Sequence, residues 1–280
     1  GERGLRVETA SFTSALAEQI RDRAGPVGLL IANHVVAHIV DVDDFFAGID
    51  TLLADDGVAL VEVQYLMDLL VGNQLDHVYN EHRYHFSLTA LAALAARHRL
   101  HVTDVRHTPA QSGSINVTLT RGGDGSATVT RMLDSERWLR HESAYQSLQG
   151  RAEHIRFQLL GLLDDELRAG RRIAGYAAPA KATTLLNWCG VGPDVIEYVV
   201  DTTPYKQGRF TPGTHVPIVG REWTGAARDL YEPTRPAGRD LPDVFVLFVW
   251  NYVSDVLRRE QAFTAGGGRW IIPIPVPTLF

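Results

Sequence analysis

Cysteine is nearly absent from this sequence, since Cys189 is the only one among 280 residues. A single cysteine excludes a disulfide within the chain and a structural zinc site built on cysteine ligands. The sequence also lacks a continuous apolar run of about 18 residues, as a membrane-spanning helix requires, and it lacks a charged-then-apolar leader or a lipidation signal. We therefore expect a soluble protein of a reducing, cytoplasmic compartment, with no membrane partner and no metal site of its own.

An excess of positive charge is missing as well, because 27 Lys and Arg residues face 33 Asp and Glu residues, giving a formal net charge of -6. Broad nucleic-acid binding requires a basic face that replaces counterions around phosphates, so no nucleic-acid partner is expected. Hydrophobic residues at 45% and charged residues at 21% are typical of globular proteins. The length predicts two domains of ordinary size, and we expect a monomer.

Hydrophobic periodicity predicts an α/β pattern in the first part of the chain. A helix is expected over residues 13–23 and a buried strand over 27–32. A second amphipathic helix is predicted from Asp43 through Leu53, ended by a turn at 55–57 and followed by a strand over 58–63. This strand, helix, strand order predicts parallel strands whose following loops lie at one edge of the sheet.

The middle of the chain shows a different pattern. A helix over 88–98 precedes two alternating segments, 100–105 and 114–120, which predict antiparallel strands. A long polar helical stretch over 130–169 is expected to connect two domains.

Strands and helices alternate again near the end of the chain, which predicts a second parallel sheet. Its strands are expected at 171–176, 196–200, 244–250 and 270–274, and its helices at 182–189 and 255–265. The predicted domains are therefore 1–125, a helical connector over 126–169, and 170–280.

The densest group of chemically active side chains lies in residues 79–87, which follow the predicted strand at 58–63. Two tyrosines, a glutamate and two histidines occur there, among them Tyr79, Glu81 and His82. A histidine beside a carboxylate can be held in one tautomer and made more basic, as a proton-abstracting site requires. His38 follows the first strand, so we expect it to meet His82 at the same sheet edge. A solvated surface loop is the alternative.

Two further groups suggest ligand binding in the second sheet. Gly175, Ala177 and Ala180 have the spacing of a dinucleotide fingerprint, with Asp201 at a ribose-binding position, but the middle glycine is replaced. The helix start with Lys181 suits an anion. Tyr205, Lys206 and Arg209 suit a phosphate-bearing ligand, while a solvated loop explains them equally well.

Taken together, four motifs resemble the sugar 3-C-methyltransferases, which act on dTDP-linked 4-keto deoxysugars in antibiotic biosynthesis. The motifs are Ala-Asn-His-Val-Val-Ala-His at 32–38, Tyr-Asn-Glu-His at 79–82 followed by Tyr-His-Phe-Ser-Leu at 84–88, Gly-Tyr-Ala-Ala-Pro-Ala-Lys at 175–181, and the segment 200–215 with Pro-Tyr-Lys-Gln-Gly-Arg at 204–209. The sequence departs from the family at Asn80, His34 and 111–114, where histidine, asparagine and His-Gly-Gly-Ser are common.

The resemblance implies the second half of a class I methyltransferase Rossmann-like domain followed by a C-terminal Rossmann-like α/β domain that binds the nucleotide sugar. It implies S-adenosylmethionine as cofactor, with zinc expected only for an N-terminal module of the full-length family. We expect this chain to lack that module and the first cofactor-binding loop, and hence to bind S-adenosylmethionine poorly by itself.

The resemblance also assigns roles to individual residues. His82 is the implied base, Glu81 orients it, and Tyr79 or His38 donates to the enolate oxygen. Asn33 and His34 are implied to contact the cofactor. The substrate-binding residues are Lys181, Tyr205, Lys206 and Arg209.

The chemistry is consistent with these roles, because a C3 proton beside a C4 ketone is acidic enough for histidine to remove when the enolate oxygen is stabilised. The expected function is C-methylation at C3 of a dTDP-4-keto deoxysugar. A non-catalytic nucleotide-sugar-binding remnant of the family is the alternative. An NAD oxidoreductase based on Gly175 is a third interpretation.

Overall fold

A computed structural model describes residues 6–222, 235–236 and 241–280. The chain forms two compact units. Unit 1 comprises Gly1–Asp68 and Asn80–Ala144, and unit 2 comprises Leu69–Tyr79 and Tyr145–Phe280. The predicted domains 1–125, 126–169 and 170–280 stay a prediction.

Unit 1 contains a four-stranded sheet in the order β1-β2-β4-β3. Its strands are β1 (Val27–Asn33), β2 (Leu53–Gln64), β3 (His101–Thr108) and β4 (Ser114–Thr120). The predicted parallel pairing of β1 with β2 and antiparallel pairing of β3 with β4 are confirmed. The helices up to the end of unit 1 are α1 (Ser14–Ala24), α2 (Val42–Leu52), α3 (Leu66–Val71), α4 (Leu88–Arg97) and α5 (Ala127–Ser135).

The core of unit 1 lies on one face of this sheet. Ala59, Val61 and Val63 are buried there, while Glu62 and Gln64, which alternate with them, are only partly buried. This alternation follows from the two-residue period of a strand. Glu62 and Gln64 therefore belong to the more polar face, close to where β2 ends.

The predicted turn at 55–57 is wrong, because β2 continues through these residues. The register with β1 shifts between Val27 and Leu29, which pair with Leu53 and Val58 respectively. The extra residues of β2 are thus accommodated as an irregularity in the ladder. Turn-forming residues are common at such bulges, so the sequence signal marked a bulge and not the end of a helix.

Unit 2 contains a six-stranded sheet in the order β12-β11-β10-β5-β6-β7. All neighbouring pairs are parallel except β11 with β12. The strands are β5 (Ile173–Tyr176), β6 (Val199–Val200), β7 (Ile218–Val219), β10 (Val244–Leu247), β11 (Arg269–Ile272) and β12 (Thr278–Leu279), with a separate antiparallel pair of β8 (Arg221–Glu222) and β9 (Arg235–Pro236). Every residue of β5 and β10 is buried, as expected for central strands of a parallel sheet.

The helices of unit 2 are α6 (Ser143–Arg168), α7 (Ala180–Cys189), α8 (Val253–Arg259) and α9 (Gln261–Ala265). The predicted continuous helix over 130–169 is wrong, since α5 ends at Ser135 and a 3₁₀ turn at Arg137–Arg140 precedes α6. The predicted helix over 255–265 is also divided, at Glu260. In both places a buried glutamate is engaged by distant groups: Glu136 accepts the Leu88 amide, and Glu260 accepts the Tyr176 hydroxyl.

The α/β fold class with parallel strands is confirmed. Among the described residues, none of the helices combines the length and apolar character that crossing a bilayer requires.

Candidate active site

Two loops of unit 1 meet beyond the carboxyl ends of β1 and β2. The Arg83 amide donates to the carbonyl of Ala37 at 2.9 Å, and the Tyr84 hydroxyl donates to the carbonyl of Val40 at 3.2 Å. The ring nitrogen Nδ1 of His38 lies 2.9 Å from the carbonyl oxygen of Glu81. Residues 34–40 and 80–86 are therefore joined by main-chain and side-chain hydrogen bonds, as the parallel topology predicted.

The contact of His38 with Glu81 fixes a tautomer. A carbonyl oxygen can only accept a hydrogen bond, so Nδ1 of His38 must carry the proton. In the neutral ring Nε2 is then an acceptor. His38 can donate to a substrate oxygen through Nε2 only when the ring is protonated, which qualifies the donor role that the family resemblance implies.

Three imidazole rings form a row in these loops. The ring centroids of His38 and His82 are 4.9 Å apart at an interplanar angle of 53°, and those of His82 and His85 are 5.9 Å apart at 86°. Burial lowers the pKa of His85, and its Nε2 is buried without a hydrogen-bond partner among the described residues. His85 is therefore uncharged at neutral pH, which limits positive charge beside His82. No role for His85 followed from the sequence.

Glu81 and Tyr79 are placed differently from His82. Glu81 is exposed and contacts His38 through its main-chain carbonyl oxygen. The predicted role of its carboxylate, to orient His82, therefore stays a prediction. Tyr79 is partly buried and is the last residue of the unit 2 segment Leu69–Tyr79. Its role at the reacting carbon also stays a prediction.

The predicted cofactor residues lie at the end of β1. Asn33 is its last residue and is exposed. His34 adopts a left-handed backbone conformation with φ of 54°, and its amide donates to the carbonyl of Glu62 at 2.8 Å. The His34 ring lies 3.6 Å from the Glu62 carboxylate, which also accepts the Thr108 hydroxyl at 3.2 Å. Glu62 thus ties the ends of β1 and β3 to β2.

Residues 80–86 are called the histidine loop below, and the far end of this loop is fixed by the start of α4. The Ser87 hydroxyl caps the helix by accepting the Ala90 amide at 3.1 Å. The carboxylate of Glu136 accepts the amides of Leu88 at 2.6 Å and Thr89 at 2.7 Å. A carboxylate at a helix start is favourable because of the orphan amides and the helix dipole. Glu136 is distant in sequence, and no local signal pointed to it.

The divergent motif at 111–114 forms a strained turn beside Asp68. Gln111, Ser112 and Gly113 have successive positive φ values of 51°, 70° and 123°. A Cβ atom on Gly113 would overlap the side chain of Asp68, whose carboxylate lies 2.7 Å from Nε2 of His107. Glycine is therefore required here by conformation and by space.

The predicted phosphate residues of unit 2 are only partly available. Tyr205, at 70% exposure, and Arg209 are exposed. The Lys206 ammonium donates to the carbonyl of Ala178 at 2.9 Å and lies 3.6 Å from Asp201. Lys181 is 7% exposed, and its ammonium donates to Asn251.

Asp201 serves the loops that follow β5 and β6. Its carboxylate accepts the amides of Ala178 at 2.7 Å and Thr203 at 2.8 Å. Burial acts to raise the pKa of Asp201, but these hydrogen bonds and the Lys206 charge outweigh it and lower the pKa. The ribose-binding role suggested by the fingerprint is thus not needed to explain Asp201.

Gly175 is a packing glycine. A Cβ atom there would lie 2.6 Å from the Phe248 ring and 2.8 Å from the Val199 side chain. This explains the glycine without a dinucleotide, so Gly175 does not support the NAD interpretation.

Unit 2 also contains a cavity of about 440 Å³. It is mostly apolar, and its lining includes Leu75, Asp76, Val78, Tyr145, Leu185 and Trp188. None of Lys181, Tyr205, Lys206 and Arg209 lines it. The described residues contain no cluster of His, Cys, Asp and Glu that could hold a metal ion.

Comparison with known proteins identifies the family. A family model described as the C-methyltransferase C-terminal domain matches residues 109–275. The chain belongs to this family. It is also similar to the C-methyltransferase NovU of Streptomyces niveus, with 36% identity over 281 residues that cover 99% of this chain and 64% of NovU. The chain therefore spans slightly less than two thirds of that relative.

These matches confirm the C-methyltransferase part of the resemblance. The sugar substrate, the missing segments, the residue roles and the monomeric state stay predictions, as does the absence of nucleic-acid and membrane partners.

Proposed function

We propose that this chain carries the catalytic and sugar-binding portion of an S-adenosylmethionine-dependent C-methyltransferase that acts at C3 of a dTDP-linked 4-keto deoxysugar. The observation that supports it most is the contact between residues 34–40 and the histidine loop. There the His38 ring lies beside His82 and donates to the Glu81 carbonyl. Family membership supports the C-methylation.

In this proposal His82 removes the C3 proton of the sugar. A histidine acts as a general base only when its ring is uncharged, and the partly buried, uncharged ring of His85 beside it adds no charge that would hinder proton uptake. Proton removal leaves an enolate whose oxygen requires a donor. Tyr79 can donate through its hydroxyl, whereas His38 can do so only when protonated.

Asn33 and His34 fit the cofactor as polar contacts at a strand end. The Asn33 amide is exposed and offers both a donor and an acceptor, while the His34 ring is directed to Glu62. When bound, S-adenosylmethionine supplies the methyl group. The task of the chain's own residues is to generate the nucleophilic carbon and to hold the sugar in place.

For the nucleotide, we assign the main phosphate contacts to Arg209 and Lys206, with Tyr205 beside them. Arg209 is exposed, and a guanidinium forms strong, charge-assisted hydrogen bonds with phosphate. Lys181 is a weaker candidate than the sequence suggested, because it is buried and already bonded to Asn251.

Hydrogen exchange at C3 tests the proposal and requires no cofactor. Protein and a dTDP-4-keto deoxysugar in heavy water should replace the C3 proton by deuterium, visible by proton NMR. His82→Asn should slow the exchange by roughly 10² to 10⁴, the usual contribution of a general base, and leave nucleotide-sugar binding intact. His101→Asn, the same change at an exposed histidine of unit 1, is the control.

Binding of the sugar nucleotide without any exchange would instead favour the non-catalytic remnant. Exchange that survives in His82→Asn would exclude His82 as the base and make His38 the next candidate.

A further inference from the structure

The segment Leu69–Tyr79 packs within unit 2, although residues of unit 1 flank it in the sequence. It continues directly into Asn80 and the histidine loop. The contacts that hold this segment therefore fix Tyr79, the residue that precedes the loop. Its 3₁₀ turn at Leu75–His77 contains two buried polar residues, Asp76 and His77.

Trp250 provides the central contact of this segment with the rest of unit 2. Its indole N–H donates to the Asp76 carboxylate at 2.6 Å, and both residues are buried, at 7% and 2% exposure. The His77 ring lies edge-on to the indole, with centroids 5.8 Å apart. Trp250 lies in another 3₁₀ turn, Trp250–Tyr252, which follows the central strand β10. Asp76 and His77 thus contact a turn that follows a central strand of the sheet.

Lys181 completes the group from the first turn of α7. Its ammonium lies 4.5 Å from the centroid of the Trp250 ring and donates to Asn251. Burial raises the pKa of Asp76 to about 6 and lowers the pKa of Lys181 to about 8, and in each case the opposite charge counteracts burial. Buried charges are costly to desolvate and contribute little net stability, so this arrangement is better explained by a positional role.

We propose that Trp250, Asp76 and Lys181 form an anchor that fixes residues 74–79 and thereby positions Tyr79 and the start of the histidine loop. Trp250 and Lys181 are then positioning residues for the reaction, a role that rests on the proposed function. The anchor itself does not depend on that function. The family resemblance implies a substrate contact for Lys181 instead.

Amide hydrogen exchange on the full 280-residue chain tests the anchor without an activity assay. The His77 and Val78 amides donate within the turn, to Gln74 and Leu75, and should exchange slowly. Trp250→Phe keeps an aromatic ring but removes the N–H, leaving Asp76 without its donor. We expect exchange of these amides to rise about tenfold, as the loss of one buried hydrogen bond implies.

Trp270→Phe is the matched control. It removes an indole N–H that donates to Thr264 at 3.0 Å within the same unit, and Trp270 is fully buried. An equal rise at residues 77–78 in both variants would reflect general loosening of unit 2 and would overturn the anchor. If Trp250→Phe fails to fold, Asp76→Ala asks the same question from the other side, because it removes the acceptor of the indole N–H. No local rise in Asp76→Ala would then overturn the anchor.

The rate of C3 exchange of the sugar tests the positioning role separately from the anchor. Trp250→Phe should slow C3 exchange of the sugar about tenfold while the Kd of the sugar nucleotide is unchanged. A local rise in amide exchange with an unaltered C3 rate would leave the anchor in place but refute positioning. If wild-type protein shows no C3 exchange, the proposed function fails, and the amide data alone still decide the anchor.

Discussion

Both units place polar loops at the carboxyl ends of parallel strands, but they use them differently. In unit 1 the Nδ1 group of His38 and the Tyr84 hydroxyl donate to main-chain carbonyls, and the His82 ring lies beside the His38 ring with centroids 4.9 Å apart. In unit 2 the charged groups are engaged with the unit itself: Asp201 holds the Ala178 and Thr203 amides, and Lys206 holds the Ala178 carbonyl.

The comparison shows that polar residues at a strand end do not by themselves indicate a ligand site. The two regions differ in which side chains hold them together: in unit 2 these are the charged groups of Asp201 and Lys206, whereas in unit 1 they are the His38 ring and the Tyr84 hydroxyl. By this criterion unit 1 has the stronger candidate for catalysis. In unit 2, Arg209 is the exposed cation of residues 201–209 and is better placed than Lys206 to bind a phosphate.

The largest effects should come from two glycines, one after the turn at 110–112 of unit 1 and one in β5 of unit 2. Gly113→Ala would meet Asp68 and adopt a φ of 123°, so we expect a loss of about 2–5 kcal/mol from overpacking and backbone strain. Gly175→Ala meets Phe248 and Val199 in a normal backbone conformation and should cost about 1–3 kcal/mol. Urea unfolding provides the measurement.

Gly161→Ala is the control for this pair. It lies in α6 with open space around it, and should stabilise the chain by roughly 0.5–1 kcal/mol through helix propensity. A smaller loss for Gly113→Ala than for Gly175→Ala would mean that the strained turn at 111–113 can relax.

Part of the fold and of the candidate site could be predicted from local sequence patterns and from the order of parallel strands. The helix at 13–23 was predicted from local periodicity, with Ser11 or Thr13 as its possible cap, and the structure confirms the helix as Ser14–Ala24 with the Thr13 hydroxyl accepting the Leu16 amide. The meeting of His38 with His82 followed from the handedness and order of parallel strands.

The contacts that sequence reasoning missed all join distant residues. Glu136 reaches Leu88 across 48 positions and Trp250 reaches Asp76 across 174. Neither glutamate nor tryptophan at these positions has a local pattern that specifies its partner. The helix breaks at Glu136 and Glu260 were missed for the same reason, because tertiary contacts outweighed helical periodicity.

Arg209→Ala and Lys206→Ala test whether a cation that is bonded within unit 2 binds phosphate as well as an exposed one does. Each should weaken dTDP binding about tenfold if a charge-assisted phosphate contact is lost, as measured by isothermal titration. Lys206→Ala should also lower Tm because it loses the Ala178 contact, whereas Arg209→Ala should not. Arg258→Ala, at an exposed arginine of α8, serves as the control, and unchanged affinity in both variants would place the nucleotide elsewhere.

The tautomer of His38 allows a finer test of unit 1. Asparagine can place its amide nitrogen near the position of Nδ1, so His38→Asn should keep the hydrogen bond to the Glu81 carbonyl, whereas His38→Gln should lose about 1 kcal/mol. The comparison of the two variants by urea unfolding separates the loop contact from the ring chemistry. Equal stability would show that the Nδ1 contact contributes nothing.

The smallest effect concerns His85 and the pH dependence of stability. Because burial lowers its folded-state pKa below 6.5, the unfolded chain binds a proton at His85 at a higher pH than the folded chain does. The stabilising contribution of the neutral ring is therefore present above pH 6.5 and is lost as pH falls through the folded-state pKa. His85→Phe keeps a buried ring that cannot bind a proton, so its Tm should fall less than that of wild type between pH 7.5 and pH 5.5. His141→Phe, the same change at an exposed histidine of unit 1, should follow the wild-type curve. Parallel curves for wild type and His85→Phe would mean that His85 is protonated as readily in the folded state as in the unfolded one. The inference that an uncharged His85 ring lies beside His82 would then be wrong.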